Sequence, residues 1–166
     1  MRSIILAVAF LFIASVSYAG TGGFLNTAVQ DAALSYVTTN GTIWTFVTDI
    51  SGPITYSQAN TATGSGGRAV AKVTLSGGSG GYSAIGTGSV AGSRSINMTG
   101  VSGITSTLTS GKQLIGDGTA THFCILSGSA VIVCNPLATN QTVATTQTWD
   151  FAGLTHAVEV RGYTTP

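Results

Sequence analysis

From Thr42 onward, apolar and polar residues alternate in short runs divided by Gly, Ser, Asn and Pro. A repeat of two places successive side chains on opposite faces, which is the pattern of strands buried on one side. In "TIWTFVTD" Trp44 and Phe46 share a face. In "RAVAKVTL" Ala69, Ala71, Val73 and Leu75 share one, while Arg68 and Lys72 take the other. "RSINMT", "KQLI", "ATHFCIL", "AVIVC", "TQTWDF" and "HAVEV" continue the series. Ahead of them, Leu25, Val29, Ala32 and Tyr36 fall at helical spacing with Val37 alongside. Thr27 and Gln30 fit a capping box there, and Asn40-Gly41 a stop. The expectation is a mainly β protein: an antiparallel β-sandwich or jelly-roll-like fold of about eight strands after one short N-terminal helix. The Gly-rich stretch 76–93 reads as a loop.

Residues 1–19 form a different texture. Arg2 precedes an apolar run from Ile4 to Ile13 and a small-residue exit at Ser17-Tyr18-Ala19, the layout of a signal peptide or apolar leader. The run is shorter than the roughly 20 residues that span a bilayer as a helix, so no membrane association is expected once it is removed. Residues 20–166 then suit a single β-sandwich domain.

Charge alters the picture further. Charged residues are 7% of the chain, against a usual value of about 25%. Loss of Arg2 leaves five basic against five acidic residues, so the surface is hydroxylic and nearly neutral. Weak repulsion between copies favours association. Arg68 and Lys72 alone make no nucleic-acid footprint, and no nucleic-acid partner is expected.

Candidate chemistry is sparse. Gly77-Gly78-Ser79-Gly80-Gly81 spells a nucleophile elbow without the helix that must follow it. Gly86, Gly88 and Ala91 match a dinucleotide fingerprint whose acidic partner, Asp117, comes too late. His122 and His156 each share strand parity with apolar residues, as core histidines do. Asp31, Asp49, Asp117, Asp150 and Glu159 show no paired spacing. No catalytic residue, metal ligand set or cofactor is therefore assigned. Cys124 and Cys134 are open to three readings: a disulfide, two free thiols, or part of a metal site. The leader favours the disulfide. A three-residue hairpin loop at Gly128–Ala130 would set the two cysteines directly opposite. Trp44, Tyr56, Tyr82 and Trp149 are the aromatic residues able to stack on a sugar, although both tryptophans sit in strand-like runs. Asn40, Asn97 and Asn140 begin N-glycosylation triplets.

In order, "DAALSYVTTNGTIWTFVTDISGPITYSQA", "RAVAKVTLS", "RSINMTGVSGI", "GTATHFCIL" and "WDF" resemble a family of small tailed-phage virion structural proteins. Pro53, Thr55, Tyr56 and Ala59 occupy its P-x-T-Y-x-x-A-like turn, and Gly118 to His122 its G-T-A-T-H strand. The resemblance spans about Phe24 to Val160. It implies a non-enzymatic role in the head or tail of a bacteriophage particle, with other virion proteins or copies of itself as partners. The leader and the cysteine pair lie outside the family pattern. The leader motivates a second expectation, an exported adhesin or glycan-binding β-sandwich module. The corresponding locations are the virion, or the secreted, extracellular side if the leader is cleaved.

Overall fold

A computed structural model describes residues 25–75 and 81–161. The leader 1–19 lies outside them. The chain runs α1 (Thr27–Asn40), β1 (Ile43–Val47), α2 (Tyr56–Asn60), β2 (Ala69–Thr74), β3 (Gly86–Thr87), β4 (Arg94–Met98) and β5 (Val101–Ile104). It continues through β6 (Lys112–Leu114), β7 (Gly118–Leu126), β8 (Val131–Val143), β9 (Trp149–Phe151) and β10 (Leu154–Val160). The protein is mainly β, with antiparallel strand pairing throughout its sheets. A five-stranded sheet has the order β6-β2-β1-β7-β8. Two smaller sheets, β10-β4-β3 and β5-β9, complete the architecture.

Each face of the large sheet carries a buried apolar cluster. Trp44 and Phe46 project to one side with Val70, Ala71, Phe123 and Ile125. There they meet Ile96 and Met98 of β4, Phe151 of β9, Val158 of β10, and Leu34 and Val37 of α1. Phe46 stacks edge-on against Trp149, centroids 4.9 Å apart, and lies 4.6 Å from Phe151. These rings join the large sheet to a small one, giving a sandwich-like core. On the other side Val47, Ala69, Cys124 and Leu126 pack under Ile50, Ile54, Tyr56 and Ala59. β1 is thus central and wholly buried along Trp44–Val47, which corrects the half-buried expectation: the segment between β1 and β2 folds back over its polar-looking face.

Four local readings change in the same way. α1 buries Gln30, Ala33, Leu34 and Val37, whereas Val29 and Ala32 are exposed. Apolar residues on several sides of α1 left two stripes open, and docking on β4 and β10 selects one. Its N-cap is Asn26, which accepts from Ala28 N–H, while Gln30 turns inward to donate to Leu25 O and Gly92 O. The capping box is instead at α2, where Thr55 and Gln58 bond reciprocally, so the P-x-T-Y-x-x-A stretch is a short capped helix. In β2 the parity breaks at Val70, an extra residue opposite Phe46/Val47. Ala69 therefore faces away from Ala71 and Val73. Within 76–93, the described part, 81–93, carries β3 and the Tyr82 bridge to Met98 rather than a plain loop.

Candidate functional site

The cysteines form a disulfide across β7 and β8. Cys124 stands directly opposite Cys134, with their Cα atoms 4.1 Å apart. The expected pairing is present but the loop is not. The connection is the four residues Ser127–Ala130, closed by Ser127 N–H donating to Ala130 O, and an extra residue at Ile132 restores the register. β8 then continues through Pro136. A proline is admitted because β8 is the edge of the sheet, where a missing N–H breaks no ladder. Beyond it, Leu137–Asn140 bulge out opposite Thr121 alone: Leu137 turns into the core, and Ala138, Thr139 and Asn140 are exposed.

The histidines are half-buried and held locally. His122 Nδ1 lies 2.8 Å from Thr121 Oγ1. His156 has φ +53° within a bulge in which Thr155, His156 and Ala157 oppose Asn97 alone. Its N–H donates to Asn97 Oδ1 at 2.7 Å, and its Nδ1 lies 2.8 Å from Ser95 Oγ. Ser95 is buried, so this Ser–His contact presents no hydroxyl to a substrate. What it does is hold a left-handed backbone conformation in place.

The acids are likewise engaged. Glu159 on β10 gathers Ser89 N–H at 2.9 Å, Ser89 Oγ at 2.6 Å, Val90 N–H at 3.2 Å and Ser93 Oγ at 2.5 Å. Partial desolvation, the largest single influence, pushes this carboxyl up. The four donors together outweigh it and bring it down to about 2. Asp117 accepts from Thr145 N–H and Oγ1, which lower its pKa and tie the β6–β7 turn to the β8–β9 turn. Asp31 pairs with Arg94 at 2.6 Å, fastening α1 to β4. Asp150 accepts from Gly103 N–H, at a φ of +66° that suits glycine. Among the described residues, no three of His, Cys, Asp and Glu come together as a metal site would require.

The four aromatic candidates are not brought together on a surface. Trp44 is interior, donating its indole N–H to Tyr82 Oη at 2.9 Å, and Tyr82 donates on to Gly41 O at 2.8 Å. Burial pushes the Tyr82 hydroxyl up to about 12. Trp149 lies against Phe46, and Tyr56 accepts from the Asn60 amide beside the second core layer. Of the three glycosylation triplets, Asn40 and Asn97 use their side chains in backbone bonds, and Asn140 is exposed.

Sequence reasoning did not mark a shallow depression of about 120 Å³ lined by Ile50, Ser51, Gly52, Pro53, Ile54, Gln58 and Arg68. Arg68 donates through Nη1 to Asp49 O. Gln58 Oε1 accepts from Thr55 N–H and Oγ1 at 3.0 and 3.2 Å. The only signal was an arginine just ahead of a strand, and the loop that meets it is distant in sequence. No protein-family model, curated protein or solved structure matches this chain.

Proposed function

We propose that the protein is a non-enzymatic structural component of a bacteriophage particle, making repeated protein–protein contacts through sheet edges and Gly/Ser/Thr loops. The single observation that carries this reading is the outer edge of β8. It is thirteen residues long, with no strand on its outer side among the described residues. No Asp, Glu, Lys or Arg occurs anywhere from Gly118 to Trp149. An uncharged edge is a template for another chain. Pro136 and the 137–140 bulge interrupt it, leaving two short stretches, Val131–Asn135 and Gln141–Val143, for pairing in a defined register. The ordered likeness to tailed-phage virion proteins supports the same conclusion.

The disulfide bears on location. Cytosolic thiols are kept reduced, so the bond forms once the particle has left the cell, or on export if the leader is cleaved. An exported glycan-binding module has no comparable support, since Trp44 and Trp149 are engaged in packing. Peptide mapping of purified particles tests the proposal. The chain is expected at a fixed copy number per virion, and its absence from intact particles would overturn the reading.

A further inference from the structure

We propose that the depression beside the Ile50–Ile54 loop is a subsite for a carboxylate, with the Arg68 guanidinium and the Gln58 side-chain amide taking its two oxygens. The assignment stands independently of the virion reading. Arg68 is fixed at its root, because its N–H donates to Gln58 O at 2.8 Å and its carbonyl accepts from Thr48 N–H at 2.9 Å. One guanidinium N–H is used on Asp49 O. The others have no acceptor among the described residues, and Asp31–Arg94 is the one ion pair found there. Gln58 is oriented in turn. With its oxygen committed to Thr55, its NH2 group has no acceptor among the described residues. Two sets of donors and no acid therefore line one hollow.

Shape and size agree with the charge. At roughly 30 Å³ per water the hollow holds on the order of four waters, room for a carboxylate and the carbon that bears it. A guanidinium N–H makes a short, charge-assisted bond to one carboxylate oxygen, and the Gln58 NH2 group stands beside it to take the other. Ile50, Pro53 and Ile54 form the apolar part of its wall, and the hollow stays open to water. Such a group reaches the hollow either on a small free acid or on an Asp or Glu side chain of another polypeptide.

The test is NMR titration of the Arg68 Nε–H resonance in the full chain. The probes are sodium acetate, an N-acetylated and C-amidated Gly-Asp-Gly peptide, inorganic phosphate, and sodium chloride at matched ionic strength. Acetate and the peptide are expected to give saturable shifts, chloride none, and Arg68→Gln to weaken binding at the neighbouring loop amides at least tenfold. Gln58→Glu, which places a like charge in the hollow, is expected to weaken it similarly while the spectrum stays folded. Tighter binding of the peptide than of acetate by tenfold or more assigns the subsite to protein partners, and equal binding to free acids. Shifts that do not saturate, that survive Arg68→Gln, or that phosphate alone produces would overturn the proposal.

Discussion

Glu159 shows how one side chain organises a surface. Its four donors come from Ser89, Val90 and Ser93, so a single carboxylate holds the β3–β4 connection against β10. Its folded pKa, about 2, lies below the ordinary glutamate value of 4.5. The unfolded chain therefore binds the proton first as pH falls, and the stabilisation is full above about 4.5 and lost on the way down to about 2. Glu159→Gln is expected to lower stability at pH 7 by about 1 kcal/mol or less, since water screens this largely exposed carboxylate, and to flatten the acid limb of a Tm-against-pH curve. Thr45 is the opposite case. It is fully buried beside Cys124, and its hydroxyl has no hydrogen-bond partner among the described residues. Thr45→Val removes an unpaired polar atom while keeping the shape, and a gain of about 1 kcal/mol is expected in urea melts. Neither role was readable in the chain, where Glu159 is one of five scattered acids and Thr45 one polar residue in an alternating strand.

At the scale of elements, the β7–β8 hairpin gathers most of the legible information. Two cysteines ten residues apart, with a loop expected at Gly128–Ala130, favoured a cross-strand disulfide among three readings, and the strands do set Cys124 opposite Cys134. The route differs, since a four-residue connection and an extra residue at Ile132 replace a simple loop. Backbone register depends on hydrogen bonds that the side-chain pattern does not encode. Replacing both cysteines by alanine is expected to cost about 2–4 kcal/mol, because the reduced chain regains loop entropy. Intact-mass analysis after alkylation without reduction should show no modified thiol in the native protein. α1 carries the same lesson: its existence and its end at Asn40-Gly41 were plain, yet its buried face was settled only by packing.

Across the whole molecule, the open edge of β8 and the near absence of charge connect the fold to the proposed role. Thr142 is exposed on that edge. Thr142→Lys is expected to leave Tm within about 0.5 kcal/mol equivalent while reducing incorporation into particles, measured by peptide mapping of virions assembled with the variant. Unchanged incorporation would exclude the edge as the contact. The amino-acid sequence by itself determined the class of structure: the alternation that makes strands, the Gly, Ser and Asn breaks that end them, and a composition poor in charge. These are local properties, carried by each segment's own covalent chemistry. Only the tertiary structure decided which strand would be central, which edge would stay open, and that Arg68 and Gln58 would meet over a loop. Those outcomes depend on long-range packing and on bulges at Val70, Ile132 and 137–140. A single inserted residue reverses every side chain beyond it, and the resulting register is chosen by the core rather than by the strand.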